Sequence, residues 1–378
     1  MHPVRLSSDP SKSPTLPGWT YTDPGIFERE RRDIFFRSWQ YAGAAGDVAQ
    51  PGDYLTLDVL GQQVVVVRDD EGQLRAFFNV CRHRGHHVAS GCGRTSTFTC
   101  PYHAWTYALD GRLRSARGLE RTPGFDAAKS SLQPVRVDVL ARKWVFVNLD
   151  TTAASLASCA SGLEADLQAG VPHLDDLAKV ERAATDGERV PVASAPIRAN
   201  WKVVVDNCLE CYHCRPAHPA FRDLFDLHTF RVSMGDTWAS LKGELRDPSV
   251  VGDSALNRSY GFWWLWPNTF FEMAPGGAHG VTVGSQVPLD IATTGAGPSH
   301  RYGLPSLPLY VHRGYADLNL VAEDRATMEA VQRNIGSLGY GEGRFSYDPA
   351  HGETSEEAVH RFHWLVARTL GLQAPENA

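Results

Sequence analysis

Cys81-Arg82-His83 and, after a gap of sixteen residues, Cys100-Pro101-Tyr102-His103 write C-x-H…C-x2-H. Two thiolates and two imidazoles can hold a tetrahedral zinc ion. They can also hold a [2Fe–2S] cluster in which a pair of histidines replaces a pair of cysteines on one iron. The spacing favours the cluster, because C-x-H is tighter than the C-x2-4-C knuckle that zinc prefers. In the cluster each short loop gives one Cys to one iron and one His to the other. Gly85, Gly91 and Gly93 suit loops that approach a cluster closely and offer N–H groups to its sulfurs. Cys92, between the loops, reads as a small buried residue.

The second concentration is DNCLECYHCRPAHP, residues 206–219. Cys208, Cys211 and Cys214 begin like a bacterial ferredoxin motif. That motif needs a fourth Cys followed by Pro, and the chain offers His218-Pro219 instead. A helix predicted over 202–214 would also splay the three thiols around its axis. The imidazoles fit better. Pro216 and Pro219 end the helix, His213 closes it, and the break lets His218 swing back. On an unbroken helix an i, i+5 pair diverges by about 140°. Glu210 lies three residues before His213 on the same predicted face. Two histidines need one more carboxylate, from far along the chain, to make the facial triad of non-haem Fe(II), which leaves positions for O2 and substrate.

The elements that must position these groups differ between the two halves of the chain. Residues 22–39 read as a helix capped by Thr22 or Asp23, with Pro24 in its first turn. Residues 54–60, 63–68, 74–79 and 143–148 are short β-rich runs, and 69–72 (DDEG) is a hairpin turn. After an Ala/Ser-rich stretch, 189–201 reads as a strand. Residues 260–273 and 280–288 read as paired strands around the Gly276-Gly277 turn, and 324–337 and 358–370 as helices. The fold class is α+β: an antiparallel β module, then a sheet flanked by helices. The expected domains are 1–38 (arm and helix), 39–150 (cluster domain) and 151–378 (catalytic domain).

CRHRG…CPYHAW and NWKVVVDNCLECYHCRPAHP resemble the motifs of the Rieske non-haem iron oxygenases, the terminal oxygenase components of ring-hydroxylating dioxygenases and related monooxygenases. The resemblance implies a Rieske domain joined to a helix-grip, START-like catalytic domain. It implies a Rieske cluster on Cys81, His83, Cys100 and His103, and mononuclear Fe(II) on His213 and His218. VAEDRATMEAVQ resembles the segment in which an Asp ligand opens a helix, which points to Asp324, with Glu323 the adjacent competitor and an ordinary helix N-cap the plain alternative. The three cysteines at 208–214 are then packing residues. Glu210 would bridge His103 of one subunit to His213 of the next, which implies a homotrimer. O2 is the co-substrate, and an NAD(P)H-dependent flavin/iron–sulfur reductase is the partner. Arg82, Arg84 and Arg94 could dock an acidic donor or be solvated charges.

RSYGFWWLWPNTFFEM, residues 258–273, is dense in aromatics. Core packing accounts for such a run. The sharper reading puts Trp263, Trp264 or Phe271 on the pocket wall, where an aromatic cage would hold a quaternary ammonium group. The resemblance lies nearer the glycine betaine, carnitine, choline and proline betaine branch, which implies N-demethylation. Aromatic-ring hydroxylation or O-demethylation is the alternative within the family. A Rieske electron carrier without oxygenation and a zinc-stabilised binding protein are the alternatives outside it.

Composition excludes other classes. A 378-residue chain with 43% hydrophobic and 21% charged residues suits a two-domain globular protein. The net charge of −6 gives no general pull toward nucleic acid or anionic membrane. Neither a membrane-length apolar run nor an N-terminal apolar leader is present, so the expected location is cytoplasmic. Seven cysteines without an export signal predict metal ligation or burial rather than disulfides. No GxGxxG or GxxxxGK[ST] motif appears, so nicotinamide and flavin chemistry belongs to a partner.

Overall fold

In the computed structural model the described residues are 4–180, 195–251, 257–276, 279–304 and 318–373. The chain forms two compact units: Phe35–Ser158, and Met1–Ile34 together with Cys159–Ala378. No helix among the described residues is long and apolar enough to cross a membrane.

The Phe35–Ser158 unit is built from β1 (Gln40–Ala44), β2 (Asp53–Val59), β3 (Gln62–Arg68), β4 (Leu74–Phe78), β5 (Cys92–Arg94), β6 (Phe98–Thr99), β7 (Thr106–Tyr107), β8 (Leu113–Ser115), β9 (Pro134–Leu140) and β10 (Trp144–Asn148). Seven strands form one sheet in the order β1-β10-β9-β4-β3-β2-β5, and β6-β7-β8 form a small second one. The run Val64–Val67 explains the layering. Successive side chains of a strand point to opposite faces, and all four valines are buried. Val65 and Val67 pack with Cys81, Cys100, Trp105 and Tyr107. Val64 and Val66 pack with Val48, Val145 and Val147. The predicted hairpin joins β3 to β4. Gly72 takes φ +75 and donates its N–H to the Asp69 carbonyl (3.0 Å), while the Asp69 carboxylate accepts the N–H groups of Glu71 and Gln73.

The second unit centres on seven antiparallel strands: β11 (Ala178–Lys179), β12 (Phe225–Met234), β13 (Trp238–Leu245), β14 (Ser259–Leu265), β15 (Thr269–Met273), β16 (His279–Asp290) and β17 (Thr293–Gly303). Their order is β11-β17-β16-β15-β14-β13-β12. Helices α1 (Pro24–Arg29), α2 (Leu163–Gly170), α3 (Trp201–Cys208), α4 (Cys214–Ala217), α5 (Pro219–Leu224), α6 (Leu320–Asn334) and α7 (Glu357–Thr369) complete it. On one face of the sheet α2 meets Trp263 and Lys242, both bonded to Asp166. On the other, Phe362 of α7 lies edge-on to Trp264 and to Trp201 of α3. A buried ion pair ties the N-terminal segment to α3: Glu30 accepts from Lys202 Nζ and, at 2.8 Å, from Trp201 Nε1, with Glu30 and Lys202 side chains 0% exposed.

Several elements differ from the sequence reading. Within 22–39, Asp23 caps α1 and Pro24 opens it as expected, but the regular α-helix stops at Arg29 and continues in altered turns to Arg37. The single strand expected at 260–273 is β14 and β15, folded back at 266–268. Part of the strand expected at 189–201 and Gly277 of the expected turn lie outside the described residues. The described part of 189–201 contributes one bridge, Ile197 to Thr294, before α3 begins.

Candidate metal centres

The loops at Cys81 and Cys100 share one hydrogen-bond scheme. Each cysteine N–H donates to the carbonyl five residues on (His86 and Trp105, both 2.8 Å). Each cysteine carbonyl accepts from four residues on (Gly85, 3.0 Å; Ala104, 2.9 Å). Those fourth residues take positive φ, +79 for Gly85 and +58 for Ala104, which closes the loop tightly. Both cysteines are 2% exposed, whereas His83 and His103 are exposed with ring centroids 4.6 Å apart. The thiols thus form an inner pair and the imidazoles an outer pair. The four do not gather about one point. Among the described residues, the group of His, Cys, Asp and Glu side chains whose ligand atoms all lie within 4.8 Å of one another is His213, His218 and Asp324. A single zinc ion needs such convergence; a two-iron cluster with ligands split between irons does not.

Two neighbours of this centre escaped the sequence reading. Trp105 stacks on His83 (centroids 4.9 Å apart, planes 8° apart) and fixes that ring. Tyr107 Oη accepts the Arg82 N–H at 2.9 Å and lies 3.3 Å from Cys81 Sγ, so its own proton is free to point at the sulfur. Burial raises the Tyr107 pKa and keeps that proton in place. Of the three nearby arginines, Arg94 is paired with Asp53 at 2.7 Å, and Arg84 lies over the Tyr102 ring.

The second centre grows from the end of α3. Asn200 caps the helix start by accepting the Lys202 N–H (3.0 Å). Asp206, Asn207 and Cys208 are poor helix formers, and the helix ends there rather than at Cys214. Glu210 and His213 therefore sit in the following turn, not on one helical face. The Glu210 carboxylate still holds His213, accepting its backbone N–H at 3.0 Å and bonding Nδ1 of its ring. Pro219 excludes His218 from the helical region, and His218 takes φ −122, ψ 73. That kink brings the His213 and His218 ring centroids to 5.0 Å.

Helix α6 supplies the carboxylates. It begins at Leu320, so Asp324 lies beyond its first turn and is not an N-cap. Asp324 Oδ1 is 3.0 Å from His218 Nε2 and 3.4 Å from His213 Nε2. Glu323 Oε2 is 2.7 Å from His218 Nδ1. Adjacent residues on the helix thus grip opposite edges of one imidazole. Each histidine has a carboxylate on its Nδ1 and turns Nε2 toward Asp324, the pattern by which outer carboxylates orient metal-binding histidines. Asn207, which the sequence reading passed over, places Nδ2 3.1 Å from His213 Nε2 and 3.3 Å from Asp324 Oδ1. Its Oδ1 is buried with no partner among the described residues.

The electrostatics fit a cation at this point. Burial alone would lower the His213 pKa, but hydrogen bonds to Asp324 and Glu210 outweigh it and lift the value to about 9. Asp324 moves the other way: burial opposes ionisation, and the two histidines still pull it down to about 2. The space between the three side chains favours positive charge, and two imidazoles with a carboxylate suit Fe(II). Next to it lies a cavity of about 220 Å3 whose wall includes Tyr21, Asp206, Glu210, His213, Glu356 and His363. Asp206 accepts from Tyr21 Oη (2.8 Å) and pairs with His363 Nε2 (2.9 Å). His363 Nδ1 accepts the Leu16 N–H at 3.0 Å, which assigns the ring proton to Nε2. Burial and the nearby Glu210 and Asp206 charges raise Glu356 to about 7.

Three expectations need correction. Cys92 is exposed on β5 rather than buried. Cys211 and Cys214 are disulfide-bonded across the His213 turn, so they are not simple packing thiols; Cys208 is free. Trp263 and Phe271 pair across β14 and β15 on the α2 face, with Trp263 Nε1 donating to Asp166 at 2.7 Å. They are fully buried away from α3 and α6. Trp264 does face α3 and α7 but is consumed by packing on Phe362. Alternation explains the error: among the consecutive rings Phe262, Trp263 and Trp264, the middle one points to the opposite layer. On the α3 face stand Tyr260 and Phe262, with Glu272 opposite Phe262 in register. The charges of Glu272 and Asp324 both act on the Tyr260 hydroxyl and the Cys208 thiol.

Known proteins resemble this chain along its length. Residues 38–126 match the Rieske [2Fe-2S] domain, and residues 174–283 match the catalytic domain of the ring hydroxylating alpha subunit. The carnitine monooxygenase oxygenase subunit of Escherichia coli (strain K12) is 35% identical over 97% of both chains. The glycine betaine monooxygenase oxygenase subunit of Chromohalobacter salexigens is 37% identical over 54% of this chain and 43% of its own. Among solved structures, a quaternary ammonium Rieske monooxygenase in complex with L-carnitine superposes with a TM-score of 0.81 at 34% identity, covering 96% of this chain and 97% of that one.

Proposed function

We propose, for a chain that belongs to the Rieske non-haem iron oxygenases as a terminal oxygenase component, that it oxidises a C–H bond beside the nitrogen of a quaternary ammonium compound. Convergence of His213, His218 and Asp324 within 4.8 Å carries the oxygenase half of this reading. The substrate half is supported by the full-length relatives, which are carnitine monooxygenase subunits. It is supported also by the sheet face that meets α3, where Phe262 lies opposite Glu272 in register and the charges of Glu272 and Asp324 act on the Tyr260 hydroxyl. A quaternary nitrogen offers no N–H to donate, so π faces and negative charge are what can recognise it.

When bound, the [2Fe–2S] cluster supplies single electrons and the mononuclear iron activates O2. The protein's own residues do the rest. Cys81, His83, Cys100 and His103 hold the cluster, and the Tyr107 hydroxyl donates to a ligating sulfur. His213, His218 and Asp324 hold the iron, while Glu210 and Glu323 fix the two rings from behind. Glu210 also serves a second role. With His213 it lines the 220 Å3 cavity, and it can accept a hydrogen bond from His103 of another copy. A homotrimer in which electrons cross between subunits follows from that role, as does an NAD(P)H-dependent reductase that delivers them. Inter-subunit electron transfer is also the subject of a solved structure of a quaternary ammonium Rieske monooxygenase, 32% identical to this chain. The overall reaction consumes O2, two electrons and two protons, and yields water and a carbon hydroxylated beside nitrogen. That product collapses to an aldehyde and a tertiary amine, releasing the hydroxyl proton.

The test is turnover by the reconstituted holoenzyme with a reductase, following O2 uptake and product. Carnitine, γ-butyrobetaine, glycine betaine and choline are compared with benzoate and naphthalene. Coupled uptake with at least one quaternary ammonium compound is expected. Formaldehyde marks N-demethylation, whereas trimethylamine with a longer aldehyde marks attack on the chain carbon. Coupled turnover only with the aromatic compounds would refute the substrate class.

A further inference from the structure

Cys211 and Cys214 bracket the turn that presents His213, and the oxygenation reaction makes no use of them. Their Cα atoms are 4.8 Å apart, inside the span a disulfide bridges, and the sulfurs are joined. The Cys214 N–H donates to the Cys211 carbonyl at 3.0 Å, so the turn stands on its own hydrogen bond as well. The two residues are 2% and 7% exposed, while Tyr212 between them is 54% exposed. Tyr212 is the solvent-facing residue of this turn, and His213 faces the cavity. Cys92 is exposed and Cys159 half-buried.

We propose that Cys211 and Cys214 are a reversible dithiol–disulfide couple, closed by hydrogen peroxide and reopened by a small dithiol, whose closure staples the turn carrying His213. The peroxide comes from uncoupled turnover, in which O2 takes two electrons and two protons without oxidising substrate. One thiol sulfur attacks peroxide, the O–O bond breaks, and water leaves a sulfenic acid. The second sulfur displaces the hydroxyl as water. In sum two S–H bonds and one O–O bond break, one S–S and two O–H bonds form, and the sulfurs lose the two electrons that peroxide gains. A resolving thiol three residues away diverts the sulfenic acid from irreversible oxidation. Closure links the backbone on both sides of His213 and reduces the ways that turn can move.

The couple itself does not depend on the oxygenase reading; the peroxide source and the load on His213 do. The holoenzyme is reduced anaerobically with dithiothreitol, desalted, titrated with hydrogen peroxide, alkylated and digested. Both labels at Cys211 and Cys214 are expected to disappear together with the first equivalent, before the label at Cys92 falls, and to return with dithiothreitol. Labels that persist after Cys92 is oxidised, or that do not return, would overturn the couple. Catalase should protect the labels during turnover without substrate; protection failing would remove uncoupled turnover as the source. Iron loss to a chelator is then timed for the oxidised and reduced forms and for Cys211→Ser and Cys214→Ser. Slower loss from the oxidised form than from the other three is expected, and equal rates would overturn the staple. A metal-free His213 site in untreated active protein would instead refute the iron reading and leave the label result standing.

Discussion

Asp324 and Glu323 are neighbours on one helix and both touch His218, so replacing each by its amide separates ligand from support. Asp324→Asn removes the carboxylate that faces both Nε2 atoms. The size of that loss follows from the drop of the Asp324 pKa from 3.8 to about 2. A displacement of nearly two units is about 2.5 kcal/mol of preference for adjacent positive charge when that charge is only protons on imidazole. A directly ligated divalent ion carries the same double charge as two imidazolium rings at shorter range, so about 2.5 kcal/mol, near a hundredfold in affinity, is the floor. Glu323→Gln acts otherwise. Its carboxylate reaches Nδ1 at 2.7 Å, away from the ligand edge, and Gln retains an acceptor there. The expected loss is about 10–100-fold in iron affinity.

Total iron, acid-labile sulfide and visible absorption distinguish the outcomes. The parent protein should carry two cluster irons and one more per chain. Asp324→Asn should keep the cluster absorption and lose the additional iron even when grown in excess iron. Glu323→Gln should keep that iron as purified and surrender it to a chelator that the parent resists. If Asp324→Asn retained the mononuclear iron while Glu323→Gln lost it, the two residues would exchange roles. If Asp324→Asn bleached the cluster, the separation into two centres would fail.

Three further perturbations test other parts of the structure. Tyr107→Phe removes the hydroxyl 3.3 Å from Cys81 Sγ; loss of a hydrogen bond that favours the more negative reduced cluster should lower its potential by roughly 50–100 mV, read by spectroelectrochemistry, and an unchanged potential would show that the hydroxyl points elsewhere. Lys202→Met strands the Glu30 carboxylate in the core and should cost about 3–5 kcal/mol in denaturant unfolding, whereas Glu30→Gln with Lys202→Met together should recover much of it. Glu356, lifted to about 7, is protonated in the fold while its unfolded counterpart ionises near 4.5, so its contribution is complete below pH 4.5 and declines as pH rises through 7. Glu356→Gln should therefore flatten that decline, gaining on the order of 2–3 kcal/mol at pH 8 relative to the parent, and parallel stability curves for the two proteins would contradict the shift.

Legibility in the sequence followed the range of the interactions involved. The cluster domain was readable because C-x-H…C-x2-H is itself a local geometry, two short loops each offering a Cys–His pair. His218 was readable because Pro219 dictates the backbone of the residue before it. Tyr107 was not, since a hydroxyl that meets a sulfur 26 positions away leaves no mark beyond an aromatic in a strand. Glu323 was noticed only as a competitor for Asp324; its grip on Nδ1 depends on how α6 is rotated, which a helix starting at Leu320 fixes and a helix starting at Asp324 would not. Aromatic density pointed to the right strand pair, but only the register of β14 against β13 and β15 decides that Tyr260 and Phe262, not Trp263, face α3.

The two carboxylate-backed histidines are not equivalent, and on the proposed reading the difference gives electrons a direction. His218 is 4% exposed, and its Glu323 is anchored on α6, on the same helix as Asp324. His213 is 20% exposed, and its Glu210 sits in a turn beside the cavity. On the proposed inter-subunit path a group from another copy meets Glu210 on the cavity wall; Glu323 is the more exposed carboxylate, 34% against 11%, but is not on that wall. Glu210→Gln should then weaken iron binding no more than Glu323→Gln does, because the amide oxygen still accepts from His213 Nδ1–H, yet slow cluster oxidation during single turnover far more. Equal slowing by the two variants would mean that the carboxylates act on iron affinity alone and that electrons enter by another route.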